Sequence, residues 1–187
     1  MTRIIAGFAG SRELKVPASG TRPTSDRVRE AIFSALEARD AISGARVVDL
    51  YAGSGALGLE ALSRGAASAV LVEKNPKAAG IALKNAELIR TAGKLETSTT
   101  RVVTGSVSSF LASAVGQYDL VFIDPPYDLP NSEIEACLSA LVPVLSEVAE
   151  VVLERSTRDA APALPAGLEF ARSKAYGETT IYWLEPA

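Results

Sequence analysis

The sequence predicts an α/β chain in which a mostly parallel sheet is covered by helices on both faces. Three observations predict it. From residue 25 onward, short apolar, β-branched runs alternate with longer helical patterns. Runs such as Val47-Val48 and Leu120-Val121-Phe122-Ile123 read as buried strands. The chain has 187 residues, 48% hydrophobic and 22% charged, which suits one domain with a substantial core.

Taken in order, residues 3–17 mix short apolar runs with Gly7, Gly10 and Ser11 and read as a β-hairpin. Pro17 to Pro23 is a connector rich in Pro, Gly, Ser and Thr. A helix is expected over 25–39, capped by Thr24 or Ser25, with Val28, Ile32 and Leu36 on one face. A strand over 46–50 leads through a glycine-rich turn to a helix over 56–64. A second strand, 68–73, precedes a helix over 76–91, and a third, 100–104, a short helix over 107–115. The fourth strand, 118–124, is followed by a helix over 132–145. A fifth strand covers 150–154, and residues 169–173 and 179–184 form a closing hairpin around Tyr176-Gly177. The division expected is a basic arm over 1–23 and a main domain over 24–187.

Two counts remove whole chemistries. There is no histidine, so imidazole triads and His-based zinc sites are excluded. Cys137 is the single cysteine, set in a helical pattern apart from the Pro125-Pro126 loop, and reads as a small buried hydrophobe rather than a nucleophile. No run of about 18 apolar residues appears, so no membrane span is expected, and a cytoplasmic location is. Net charge is −3, yet residues 1–29 carry six basic against two acidic groups. A basic arm on an acidic body points to a locally placed anionic partner, or to a solvated terminus.

In open parallel sheets, ligands sit beyond the carboxyl ends of the strands. After the first strand comes Asp49-Leu-Tyr51-Ala-Gly53-Ser-Gly55-Ala-Leu-Gly58, with Glu73 twenty residues beyond Gly53 at the end of the second strand. Small residues there let backbone approach a ligand, and Glu73 suits ribose hydroxyls. A nicotinamide dinucleotide and an adenosyl group both fit this loop. Asp49 separates them: a carboxylate beside a pyrophosphate is repelled, whereas beside a sulfonium and an α-ammonium it is favourable. This acid-then-glycine pattern resembles motif I of S-adenosylmethionine-dependent methyltransferases.

The fourth strand ends in Asp124-Pro125-Pro126-Tyr127. Two prolines stiffen the backbone and leave carbonyls without competing N–H groups. A carboxylate and a carbonyl side by side can accept both hydrogens of one exocyclic amine, and Tyr127 can stack on an extruded base. The tetrapeptide resembles motif IV of amino-methyltransferases, and Cys137 does not suit attack on cytosine C5.

Together with Thr21-Arg-Pro-Thr-Ser-Asp-Arg-Val-Arg-Glu-Ala-Ile-Phe33 and the opening Arg3-Ile-Ile-Ala-Gly7, these motifs resemble the bacterial 16S rRNA (guanine-N2)-methyltransferases of the small-subunit methyltransferase D type, over nearly the whole chain. The resemblance implies a Rossmann-like methyltransferase fold with a seven-stranded sheet, a reversed last strand and an N-terminal β-hairpin. It implies S-adenosylmethionine as cofactor, S-adenosylhomocysteine as product, no metal, and guanine 966 of 16S rRNA in an assembling small subunit as target. Expected catalytic residues are Asp124, Pro125, Pro126 and Tyr127; expected cofactor residues are Asp49, Tyr51, Gly53, Gly55, Glu73, Ser106 and Asp124. Ser106 stands in Thr104-Gly-Ser-Val-Ser-Ser-Phe110, where many methyltransferases carry an Asp for the adenine amine. Arg3, Arg12, Lys15 and Arg22 are expected on rRNA phosphates, while Arg27 and Arg29 divide between solvent and a carboxylate such as Glu30 or Asp49. A monomer is expected. The rival readings are a DNA adenine-N6 or cytosine-N4 methyltransferase, a nicotinamide-dependent oxidoreductase, and a non-catalytic RNA-binding assembly factor.

Overall fold

The structure is a computed structural model that describes residues 2–17 and 25–187. Glycines, prolines and capping residues divide the chain into a hairpin, helices and a large sheet. The hairpin strands are β1 (Thr2–Arg3) and β2 (Glu13–Leu14), antiparallel with Thr2 opposite Leu14. Helix α1 (Asp26–Glu37) follows, then β3 (Arg46–Asp49), α2 (Ala56–Ser63), β4 (Ser68–Glu73), α3 (Pro76–Gly93), β5 (Thr100–Thr104) and α4 (Val107–Ser113). The chain ends with β6 (Tyr118–Ile123), α5 (Asn131–Leu141), β7 (Leu145–Ser156), β8 (Leu168–Tyr176) and β9 (Thr179–Pro186).

The main sheet runs β5-β4-β3-β6-β7-β9-β8. β5, β4, β3, β6 and β7 are mutually parallel, and β9 is antiparallel to both its neighbours. The seven-stranded, mostly parallel sheet, the reversed last strand and the N-terminal hairpin are thus all present. Strand order reverses between β3 and β6, where Asp49 lies opposite Phe122. That register brings the glycine loop after β3 and the Asp-Pro-Pro-Tyr loop after β6 side by side, at the place where open sheets form their ligand crevice.

Period-2 alternation sorts the strands' side chains into two cores. Val47, Leu120 and Phe122 face α1, α2 and α3, with the Phe33 and Phe122 rings 5.5 Å apart. Val48, Val121 and Ile123 face Phe110 of α4 and Ile134, Leu138 and Leu141 of α5. The hairpin belongs to the first of these: Ile4, Ala9 and Leu14 are buried with the α1–α2 side chains. It is held there by Glu60 of α2, which is fully buried and accepts from the Ile5 and Ala6 N–H groups at 2.6 and 3.0 Å.

Local signals explain most boundaries. Ser25 caps α1 by accepting from Val28 N–H; Thr24, the alternative cap, lies outside the described residues. Asn75 caps α3 with Pro76 in the first turn, and the helix runs on to Gly93 before Lys94 turns left-handed at φ 52°. Two expectations need correction. The helix over 132–145 stops at Leu141 because Pro143 tightens the chain into a 3₁₀ turn, Val142–Val144. The strand over 150–154 starts five residues earlier and continues to Ser156, since pairing with β6 and β9 recruits residues whose own pattern is weak. Among the described residues no helix is long and apolar enough to cross a membrane.

Candidate active site

The ends of β3, β4 and β6 open onto a cleft of about 880 Å³. Asp49, Tyr51, Gly53, Glu73, Ser106, Asp124, Pro125, Pro126 and Tyr127 all line it, so the structure gathers these expected site residues around one space. Gly55 sits just behind it as the N-cap of α2, left-handed at φ 82°. A Cβ at Gly55 would stand 2.8 Å from Leu71 Cδ1, and one at Gly58 2.5 Å from Leu71 Cδ2. These glycines therefore seat α2 against β4, whereas Gly53, at φ 54° with open space where a Cβ would be, faces the cleft.

Three carboxylates surround this loop. Asp49 is buried, and its Oδ2 accepts from Gly58 N–H at 3.1 Å. Burial pushes its pKa up to about 7, against the Gly58 hydrogen bond, and the neighbouring charges of Asp124 and Glu73 push the same way. Glu73 is oriented by backbone: its Oε2 accepts from Gly53 N–H at 2.9 Å and its Oε1 from Asn75 N–H at 2.7 Å. Each oxygen has a further lone pair with which a diol in the cleft could be held. Ser106 serves first as the cap of α4, accepting from Ser109 N–H at 3.1 Å.

Pro126 O accepts from Leu129 N–H at 3.0 Å, so a tight turn carries Tyr127 outward. The Tyr127 ring is 48% exposed and its hydroxyl lies 3.3 Å from Thr179 Oγ1 at the start of β9. The turn is anchored from behind by the buried Arg155 of β7, which donates to Leu129 O at 2.9 Å and to Asn131 Oδ1 at 3.1 Å. Thr179 and Arg155 support this turn from outside the cleft, and sequence reasoning missed both. They come from the far end of the chain and reach the loop only through the β7–β9 pairing.

Cys137 needs correction as to place. It lines the same cleft as Pro125 and Pro126, carried there by α5. Its character stands: it is buried, and burial pushes its thiol up to about 12, with the neighbouring Tyr51 hydroxyl acting the other way. A thiol so protonated is a poor nucleophile. Tyr51 is likewise pushed up by burial.

The hairpin forms another wall through Thr2, Val16 and Pro17. Arg3, Arg12 and Lys15 are exposed on it, and Arg3 stands 3.8 Å from Asp26. Arg22 lies outside the described residues. Arg27 faces solvent, whereas Arg29 is buried and pairs with Asp26 at 2.7 Å, not with Glu30 or Asp49.

The residues present fit S-adenosylmethionine. Asp49 Oδ1 is buried with no hydrogen-bond partner among the described residues. It sits where an ammonium would relieve it, beside a backbone loop open at Gly53 and a ribose-type carboxylate at Glu73. The acidic cleft favours a sulfonium and opposes a pyrophosphate. Sheet order, reversed last strand and this loop at the switch point define the fold class of the S-adenosylmethionine-dependent methyltransferases. Magnesium protoporphyrin IX methyltransferase of Synechocystis, solved with bound SAM, shares the fold at a TM-score of 0.65, covering 89% of this chain and 86% of that one at 18% identity.

The chain belongs to the family described as conserved hypothetical protein 95, whose profile matches residues 2–185. It is 38% identical to ribosomal RNA small subunit methyltransferase D of Escherichia coli K12 over 94% of this chain and 85% of that protein. The solved structure of Escherichia coli yhhF superposes with a TM-score of 0.86 at 34% identity, covering 99% of this chain and 97% of that one. A hypothetical protein of Thermus thermophilus gives 0.81 at 34% identity with 99% of both chains covered.

If the α-ammonium of the cofactor meets Asp49, binding is pH-dependent. Its pKa is raised above the unfolded value of 3.8, so the folded protein holds the extra proton between about pH 4 and 7. Stability contributed by this group is therefore present below about pH 4 and lost as pH rises to about 7. An arriving ammonium favours the ionised form. S-adenosylhomocysteine is expected to bind more tightly as pH rises from about 6 to 8, releasing a proton at about pH 6.5. Calorimetry in buffers of different ionisation enthalpy reads that proton, and Asp49→Asn should remove it.

Proposed function

We propose that the protein transfers a methyl group from S-adenosylmethionine to the exocyclic N2 of a guanine in small-subunit ribosomal RNA, the position numbered 966 in 16S rRNA. The observation that carries this reading is the Asp124-Pro125-Pro126-Tyr127 turn sharing one cleft with the glycine loop and Glu73. The relatives named small subunit methyltransferase D support the RNA substrate.

Asp49, Tyr51, Gly53 and Glu73 would hold the cofactor, with Gly55 shaping the loop and Ser106 beside the adenine end. Bound there, S-adenosylmethionine supplies an electrophilic methyl group. Asp124 and the Pro125 carbonyl accept the two amine hydrogens of the guanine, drawing the nitrogen lone pair out of ring conjugation and aiming it into the cleft. Neither Pro125 nor Pro126 has an N–H to compete for that position. Tyr127 offers its exposed ring to the face of an extruded base. The proton shed by the nitrogen passes to Asp124 or to solvent. Arg3, Arg12, Lys15 and Arg22 would meet phosphates along the hairpin wall, making RNA binding salt-dependent.

If Tyr127 acts by stacking, Tyr127→Ala should lower kcat/KM about tenfold or more, by the typical worth of one base–aromatic stack. Tyr127→Phe, which loses only the 3.3 Å contact with Thr179, should stay within about threefold. Equal losses in the two variants would assign the role to the hydroxyl. The test of the function is transfer from labelled S-adenosylmethionine to undermethylated small subunits, naked 16S rRNA and duplex DNA, with nucleoside analysis. N2-methylguanosine in RNA is the expected product. N6-methyladenine or N4-methylcytosine in DNA, or no transfer to any acceptor, would overturn the proposal.

A further inference from the structure

Among the charged groups lining the cleft, Arg29 is buried and has no part in the reaction as described. Arg29 lies on α1 one turn before Phe33, on the buried side, and its side chain is 1% exposed. Its Nη2 is engaged twice, donating to Arg3 O and to Asp26 Oδ1, both at 2.7 Å. Its Nη1 and Nε are buried and have no hydrogen-bond partner among the described residues. Guanidinium groups carry five donors and are not deprotonated in proteins, so donors left unused on a cleft wall favour an anion there.

Asp49 presents the complementary half. Its Oδ2 is satisfied by Gly58, while its Oδ1 is buried without a hydrogen-bond partner among the described residues. Arg29 and Asp49 line the same cleft, yet the ion partner of Arg29 among the described residues is Asp26. Two opposite charges that share a cleft, each with an unused atom and neither neutralising the other, match a zwitterion. An α-amino acid end is one: its ammonium suits the carboxylate and its carboxylate suits the guanidinium. A phosphate on a polymer is the other anion to weigh, but a side chain 1% exposed lies too deep for an RNA backbone.

We propose that Arg29 anchors the α-carboxylate of S-adenosylmethionine through Nη1, opposite Asp49 at the α-ammonium. This rests on the cofactor reading given under the proposed function. Arg29 is held in place before any ligand arrives, by Asp26 and by the carbonyl of Arg3. Little side-chain entropy is therefore lost on binding. Because Arg3 belongs to β1, the same guanidinium links the cofactor's tail to the hairpin wall of the cleft.

The experiment is calorimetry on the full chain with S-adenosylhomocysteine and its decarboxylated analogue, in which a 3-aminopropyl thioether replaces the amino-acid tail. The unmodified protein should prefer S-adenosylhomocysteine by about 100-fold, in line with losing one partner of a buried charge pair. Arg29→Met should weaken S-adenosylhomocysteine by about the same factor and leave the analogue within about threefold. Arg29→Lys keeps a point charge without the planar fork and should fall between; it carries the same comparison if the Met variant does not fold. Equal weakening of both ligands by the variants, or equal affinity of the unmodified protein for both, would overturn the assignment. So would variants that bind S-adenosylhomocysteine normally but bind RNA poorly, which would move the guanidinium to a phosphate. Failure of the unmodified protein to bind S-adenosylhomocysteine at all would instead remove the cofactor reading, and this inference with it.

Discussion

Replacing Asp124 by asparagine or alanine is expected to slow methyl transfer about a thousandfold while the protein still folds. The reasoning starts from position. Asp124 follows directly on β6, whose Phe122 is in register with Asp49 of β3, so the central sheet sets where the carboxylate stands. It is only partly buried, and the asparagine variant keeps its shape. Asparagine, however, turns one acceptor into an NH₂ donor facing the amine it should hold, and alanine removes both acceptors. Loss of one preorganised group aimed at the reacting atom costs about 10²–10³ in rate, and here orientation and proton acceptance are lost together. Removing the charge should also lower the pKa of Asp49, since Asp124 is one of the neighbours raising it. Single-turnover transfer to RNA, paired with S-adenosylhomocysteine titration across pH, measures both effects. Near-normal turnover in either variant would take Asp124 out of the reaction.

The second large effect is structural and far from the chemistry. Gly7→Ala is expected to destabilise the fold by about 3 kcal/mol or more, the sum of left-handed strain and lost packing. Gly7 sits at φ 81°, and a Cβ there would fall 1.9 Å from the Ser63 carbonyl oxygen of α2. The obstacle is backbone, which cannot swing aside, so the hairpin must part from the helix. Parting breaks the Phe8 N–H bond to Ser63 O, the Ala9 bond to Ser63 Oγ, and the Ile5 and Ala6 bonds to Glu60. It also leaves the buried Glu60 carboxylate with Arg64 as its remaining partner. Urea denaturation should show the loss, and RNA affinity should fall with it because the hairpin carries Arg3, Arg12 and Lys15. A stability within about 0.5 kcal/mol of the parent would mean that the hairpin is not held by this contact.

The legible parts of the fold were those written in local chemistry. Ser68–Glu73 and Thr100–Thr104 match their expected bounds residue for residue, because short β-branched runs between glycine and proline breaks admit little else. α1 shows the limit. Its Val28, Ile32 and Leu36 stripe was evident, yet Arg29 and Phe33 are buried on the same helix. A charged residue four before a Phe on an apolar face was the available signal, outweighed by the general exposure of arginine.

The sequence by itself determined the class of chemistry. An acid before a glycine loop, a carboxylate twenty residues on, and Asp-Pro-Pro-Tyr after a buried strand each carry their chemistry in residue type and spacing, and no histidine or second cysteine offers another route. Only the tertiary structure decided which distant groups serve that site. Strand pairing sets Arg155 and Thr179 behind the Tyr127 turn, α5 places Cys137 on the wall of the same cleft, and Glu60 bolts the basic hairpin to the cleft's edge. These placements depend on contacts between residues tens of positions apart, and a pattern that decays within one helical turn or one strand holds no record of them.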